Sequence, residues 1–246
     1  MDFTVLLLIL TLVCGISFII FRSFKPKNKA SFIFEFLASL FPILFIVLFI
    51  RSFVIEPFRI PSGSMIPSLL VGDFILVNKH RYGLRVPLIN TLIYENNYPN
   101  RGDVIVFQFP ENTKINYIKR VVGIPGDKVE YINKTLFING EELQLKRVND
   151  PQYSNIHSSD EMVYIEDNGY KKYLILNSSG RGVNFEFDVP DDNYFVLGDN
   201  RDNSNDSRYW GTVHKNNLIG EAFMIWMYWN PQSEVKIFDR IGKDIE

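Results

Sequence analysis

The residues best suited to chemistry are a serine and a lysine. Ser64 lies in Pro61-Ser62-Gly63-Ser64-Met65-Ile66-Pro67, where two prolines and a glycine rule out a regular helix or strand. Gly63 tolerates tight backbone and lets a substrate come close. A small hydroxyl on a rigid turn is how a serine nucleophile is presented; a Ser/Gly/Pro surface turn is the plain alternative. A serine nucleophile needs a base. His80, His157 and His214 are scattered, without ligand spacing or a convincing context, so a Ser-His-Asp triad has little support. A lysine can serve if burial lowers its pKa, because desolvation disfavours the ammonium. The candidate is Lys119, in Tyr117-Ile118-Lys119-Arg120-Val121-Val122-Gly123. Strand alternation puts Tyr117, Lys119 and Val121 on one face, so Lys119 stands between an aromatic and a β-branched residue. Arg120 cannot do this work, since guanidinium stays protonated. A solvated or ion-paired strand lysine is the alternative reading of Lys119.

A third segment, Gly198-Asp-Asn-Arg-Asp-Asn-Ser204-Asn-Asp206-Ser-Arg208-Tyr-Trp-Gly211, is dense in hydrogen-bonding side chains and bounded by glycines. An EF-hand calcium loop fails here. Arg201 takes a ligand position, Ser204 the required glycine and Trp210 the bidentate glutamate. An Asx-rich turn is one reading. The other is a loop that orients something, here the lysine and its strand.

These residues must be held by the rest of the chain. Phe3 to Phe21 and Phe32 to Ile50 are two apolar runs of about 19 residues each, long enough to cross a bilayer as helices. The loop between them, residues 22–31, carries Arg22, Lys25, Lys27 and Lys29 and no acidic residue. The positive-inside rule therefore puts it in the cytoplasm and everything after about Arg51 on the far side. A cleaved signal peptide is the weaker reading, because no basic segment precedes the first run and no A-x-A-like site follows it. The faint lipoprotein-like Thr11-Leu-Val-Cys14 carries a bulky Val13. From Ile60 the sequence reads as β. Strand candidates are Phe74–Asn78, Val104–Phe109, Asn116–Val122, Val129–Ile132, Leu136–Ile138, Tyr194–Leu197 and a final Ala222–Trp229. Residues 141–192 are polar, broken by Tyr164-Ile165 and Tyr173–Leu176, and read as an inserted subdomain or long excursion. The expectation is a mainly β, antiparallel exported domain, residues 51–246, on two transmembrane helices.

Composition narrows the function. With 246 residues the chain can bury one substantial core. A formal net charge of -2 argues against nucleic acid, which calls for a basic excess. The single cysteine, Cys14, lies in the first apolar run, so the exported part has no disulfide and no cysteine metal site. Phe58, Trp226, Tyr228 and Trp229 could rest the domain on lipid; β-core or strand-edge aromatics are the alternative.

Pro61–Pro67, Arg101-Gly-Asp-Val-Ile-Val-Phe107, Tyr117-Ile-Lys-Arg-Val-Val-Gly-Ile-Pro-Gly-Asp127 and Gly198–Gly211, in that order behind a two-helix anchor, resemble the boxes of bacterial signal peptidase I, the leader peptidases. The resemblance covers nearly the whole chain and is weakest between 128 and 193. It implies a serine endopeptidase of the inner membrane with its catalytic domain on the periplasmic side. Its partners would be preproteins bearing signal peptides, cleaved after small residues at A-x-A-like sites, and membrane lipid. No metal or cofactor is implied, and the oligomeric state is left open. By the same resemblance Ser64 is the acylating serine and Lys119 the general base. Ser62, with the Ser64 backbone N–H, makes an oxyanion hole. Ser204 holds the lysine amine, and Asp206 and Arg208 support it. Phe58, Ile60, Met65, Leu69, Tyr117 and Ile118 line the substrate pockets. The cysteine pair that larger Gram-negative relatives carry in the inserted subdomain is missing, so nothing is carried over there.

Rival readings are a different Ser/Lys hydrolase and a catalytically silent, membrane-anchored β binding module. A penicillin-binding arrangement needs Ser-x-x-Lys, but Ser64-Met-Ile ends in Pro67. A repressor-type self-cleaving protease needs no membrane spans. The silent module leaves unexplained both a lone lysine in apolar strand and the hydroxyl-rich turns.

Overall fold

The computed structural model describes residues 3–24, 30–86, 90–150, 153, 158, 160–180, 182–233 and 235–246. Residues 25–29 of the basic loop and His157 lie outside the described residues. Two helices open the chain, α1 (Phe3–Phe24) and α2 (Ala30–Phe53). Each outruns its apolar stretch into the flanking residues, where Arg22 and Arg51 occupy the last turns and suit the negative end of the helix dipole. The helices pack on each other through Phe18 and Phe41, ring centroids 5.4 Å apart. Gly15 makes the close approach possible, since a Cβ there would come 2.9 Å from the Phe41 ring. Their outer faces expose Ile16, Ile19, Ile33 and Ile43. Such apolar surface is what lipid requires and water penalises. The protein is membrane-anchored.

α2 runs almost directly into β1 (Ile55–Arg59), a strand before the first expected one. β1 is the edge of the main sheet, which is why Pro57, lacking an N–H, is tolerated within it. The remaining strands follow in order. They are β2 (Asp73–Asn78), β3 (Leu84–Arg85), β4 (Leu92–Tyr94), β5 (Val104–Phe109), β6 (Asn112–Gly123), β7 (Lys128–Ile132), β8 (Thr135–Ile138) and β9 (Glu141–Glu142). Then come β10 (Gln144–Arg147), β11 (Glu161–Asp167), β12 (Lys172–Ser178), β13 (Phe185–Asp188), β14 (Asn193–Leu197), β15 (Val213–His214), β16 (Leu218–Tyr228) and β17 (Lys243–Asp244). A single helical turn, α3 (Ser207–Trp210), lies between β14 and β15. All strand pairs are antiparallel. The main sheet runs β1-β2-β16-β5-β6-β14-β15, with β17 also on β16.

β6 begins four residues earlier than expected, because Asn112 to Ile115 is too polar to signal a strand by type. Its pairing with β5 supplies the ladder. Asn133 and Lys134 (φ 50 and 67) close the β7–β8 hairpin in the left-handed region, which two-residue turns of this hand require. Within 141–192, β9 and β13 join the β7–β8 sheet, and β10-β11-β12 form a separate three-stranded sheet. One core under β2, β5 and β16 gathers Ile60, Met65, Leu69, Ile75, Val77 and Ile225. A second lies on the other face, around Ile105, Phe107, Val121 and Val196.

Candidate active site

Ser64 is carried by a single 3₁₀ turn, Gly63–Met65, between β1 and β2. The turn is pinned from below. Met65 and Leu69 are wholly buried, Leu69 N–H donates to the Met65 carbonyl at 2.9 Å, and Ile60 N–H donates to the Asp73 carbonyl at 2.8 Å. Alternating with buried Met65, Ser64 is left half-exposed.

Lys119 reaches this serine from β6. β14 pairs with β6 only as far as Leu197 opposite Arg120, so the ladder stops one residue short of Lys119. The edge of β6 is open from there outward. The Ile118 carbonyl, released from any β14 partner, accepts from Lys119 Nζ at 2.8 Å. The same Nζ lies 2.8 Å from Ser64 Oγ. Lys119 is only 4% exposed, and burial pushes its pKa down to about 8, against the opposing pull of Asp206 and Asp199. Arg208 pairs with that Asp206 and Arg120 with that Asp199, so neither carboxylate is free to claim the ammonium. Without burial, a lysine between two carboxylates would stay charged.

The glycine-bounded loop walls the pair. Ser204 is buried and lies against Gly198. A Cβ on Gly198 would fall 2.2 Å from Ser204 Oγ and 2.4 Å from the Ser64 carbonyl oxygen, so only glycine fits. Ser204 Oγ makes no hydrogen bond, to Lys119 or to another described residue. Asp206 caps α3, accepting from Arg208 Nε at 2.7 Å and from the Gly198 N–H at 3.0 Å. It thereby ties both ends of the loop together.

Asn200 was not singled out from sequence, yet it joins the loop to the Ser64 turn. Its N–H donates to the Ser64 carbonyl and its Nδ2 to the Gly63 carbonyl, both at 3.1 Å. Beside it, Asp199 holds Arg120 through two hydrogen bonds of 2.8 and 2.7 Å, both residues fully buried.

The remaining sequence candidates are placed as follows. Ser62 is exposed in extended backbone at the mouth of the serine turn. Ile60, Met65 and Leu69 are core residues, with Phe58 and Ile118 packed partly exposed against them. Met65 and Leu69, both at 0% exposure, form the floor beneath the turn rather than surface a substrate could touch. Tyr117 lies on the opposite face, stacked on Phe109 at 4.5 Å. Its ring centroid is 5.4 Å from Lys119 Nζ. His214 caps a helical turn at Asn216, and neither it nor His80 bonds Ser64. Trp226 and Trp229 are exposed, whereas Tyr228 is buried. Among the described residues no group of His, Cys, Asp and Glu could hold a metal ion.

A half-exposed serine hydroxyl and a buried amine at hydrogen-bond distance, beside a strand edge that β14 leaves uncovered, can perform acyl transfer. Comparison with known proteins points the same way. The family described as "Signal peptidase, peptidase S26" matches residues 33–229. Signal peptidase I of Pseudomonas aeruginosa is 44% identical over 234 residues, 89% of this chain and 81% of that one. That of Pseudomonas fluorescens is 45% identical over the same shares, and that of Aquifex aeolicus 37% identical over 77% of this chain and 82% of its own. A solved signal peptidase I from Enterococcus faecalis aligns with 51% of this chain and 97% of its own, at 30% identity and a TM-score of 0.32.

Proposed function

The chain belongs to the signal peptidase (peptidase S26) family, and from that premise we propose that Ser64 and Lys119 are its nucleophile and base. The protein is a hydrolase that removes signal peptides from preproteins. A silent binding module is not favoured. The observation that carries the dyad is the 2.8 Å contact between Ser64 Oγ and a lysine amine that burial brings down to about 8. At pH 7 roughly a tenth of such lysines are neutral, enough for a base whose pKa sits near the working pH.

In the neutral amine, the Nζ lone pair faces the Ser64 hydroxyl while an N–H remains on the Ile118 carbonyl. Ser64 Oγ attacks the scissile carbonyl carbon as its proton passes to Nζ. The C–N bond then breaks, and the ammonium returns that proton to the leaving amine, which departs as the new N-terminus of the mature protein. A water gives its proton to Lys119 and attacks the ester, and Ser64 leaves with the proton. The charge that forms on the carbonyl oxygen would be met by the Ser64 N–H and by Ser62 Oγ. One such donor typically contributes about 3 kcal/mol to barrier lowering. The edge of β6 beyond Arg120, which β14 does not cover, could take an extended peptide by strand addition. Phe58 and Ile118, both partly exposed where they pack on the core, would be the residues to meet its small side chains.

Basic residues in the 22–31 loop support a cytoplasmic loop, with the β domain on the periplasmic side of the inner membrane. The short passage from α2 into β1 would hold Ser64 close to the bilayer, where a preprotein still tethered by its apolar segment presents its cleavage site. Trp226 and Trp229 could touch lipid there. Ser64→Ala tests the nucleophile. The variant is expected to keep its circular dichroism spectrum and lose cleavage by more than about a thousandfold. A folded variant that cleaves at the parent rate would refute the assignment.

A further inference from the structure

We propose that the three-stranded sheet β10-β11-β12 is a splint for the active-site loop, with Glu166 and Arg201 as positioning residues for the Ser64–Lys119 pair. The inference rests on the peptidase reading above. It gives a task to a stretch whose polar sequence suggests only an excursion.

The connection is made first by backbone. Leu176 of β12 bridges Asn200 in parallel. Its N–H donates to the Asp199 carbonyl at 2.8 Å, and its carbonyl accepts from Arg201 N–H at 2.9 Å. Asn200 in turn holds the Gly63 and Ser64 carbonyls. A single residue therefore stands between the small sheet and the nucleophile turn.

Side chains then fix the register of that bridge. Arg201 grips Glu166 of β11 through two hydrogen bonds of 2.8 and 2.6 Å, with both side chains at 0% exposure. Tyr173 of β12 donates to the same carboxylate at 2.8 Å. Its ring lies 4.0 Å from the Arg120 guanidinium, which is the partner of Asp199. At the far end of the segment, Asp202 accepts from Ser178 N–H and Lys134 Nζ, both at 2.7 Å.

A buried pair of this kind is weak as a source of stability, because desolvating two charges cancels much of their attraction; fixing register is its best-attested use. The guanidinium fork has rigid bidentate geometry, so Glu166 sets the height of Arg201 and hence of its neighbour Asn200. The Arg201 carbonyl also accepts from Arg208, which grips Asp206, which holds the Gly198 N–H. A shift of Arg201 therefore reaches both the Ser64 turn and the Gly198–Ser204 wall. Misplacing reacting groups by about 1 Å can reduce rate roughly a hundredfold.

The test uses the full chain in detergent with a preprotein. Glu166→Gln leaves Arg201 buried without its counter-charge and could prevent folding. The double variant Glu166→Leu/Arg201→Met removes both charges and is the paired measurement, since apolar replacement of a buried ion pair is often neutral or stabilising. Lys146→Ala, on exposed β10 of the same sheet, is the control. The expected result for a folded variant is kcat lowered at least about tenfold, KM changed less than about threefold, and an altered acid limb of the pH profile. Amide exchange at Asn200 and Gly198 should quicken at least about tenfold while β5 amides keep their protection. A folded double variant with parental kcat and parental exchange at Asn200 overturns the proposal. A parent that cleaves no preprotein would instead sink the peptidase reading, and the exchange measurement would still decide the splint.

Discussion

Lys119 is held at a thermodynamic cost, as the proposed lysine base for Ser64 would require. Its pKa falls from 10.5 to about 8 on burial. The folded state thus binds fewer protons than the unfolded state between those values, and stability rises with pH across that window. Below about pH 8 the ammonium is present in both states and the penalty is fully felt, at most about 3 kcal/mol. Lys119→Met should therefore melt higher than the parent at neutral pH, with the advantage shrinking from pH 8 to 10.5. A parent more stable than the variant at pH 6 would contradict the burial account. In the active parent, kcat/KM should rise with pH to a limb near 8. Gly198→Ala is a second test at this scale. Its Cβ has backbone on one side and Ser204 on the other, so cleavage should fall at least about a hundredfold with about 1–3 kcal/mol of lost stability. Parental activity in that variant would show that the wall yields.

Ser64 and Lys119 stood out as candidates in the sequence because each carries its own signal, a hydroxyl between prolines and, beside an arginine that stays charged, a lysine between apolar strand residues. Asn200 did not. It is one of several asparagines in a polar loop, and its role exists only because Leu176 and the serine turn flank it in space. Met65 and Leu69 show the opposite difficulty. Both are apolar neighbours of Ser64, and only tertiary packing decides that they face the core.

Among elements, the loop from Gly198 to Gly211 is held by ion pairs, Arg208 with Asp206 inside it and Asp199, Arg201 and Asp202 with Arg120, Glu166 and Lys134 outside it. Arg208 is nearly buried against Asp206, which raises its pKa despite the opposing effect of burial. Arg208→Ala would strand a buried carboxylate, a loss of about 3–5 kcal/mol. It should also slow cleavage in whatever fraction folds, read by melting temperature and single-turnover rate. Arg208→Lys should restore little of either, since an ammonium cannot reproduce the two-pronged contact. The strands were legible where β-branched and aromatic residues cluster, as in Val104–Phe109. They were hidden where polar residues are held by partners, as in Asn112–Ile115 of β6, or where Pro57 occupies an edge.

For the whole molecule, the proposed peptidase would use its two helices and sheet as a height gauge. α2 ends at Phe53 and β1 begins at Ile55, so little slack separates the apolar helix from the sheet that carries the serine turn. Inserting four glycines after Phe53 should leave cleavage of a short soluble peptide unchanged. It should lower cleavage of a membrane-held preprotein several-fold, because a flexible linker dilutes the fixed geometry. Equal effects on both substrates would mean that the anchor only retains the protein and does not position it. The two N-terminal helices were legible because apolar length is written locally. The small sheet's attachment to the active-site loop was not, because it depends on the buried pairing of Glu166 with Arg201, 35 residues apart.

The most direct test is preprotein cleavage by the parent and by Lys119→Met, reconstituted in the same vesicles and shown by circular dichroism to be equally folded. A folded Lys119→Met protein without measurable cleavage, beside an active parent, is the predicted result. Cleavage by the variant at a rate near the parent's would contradict a lysine base for Ser64.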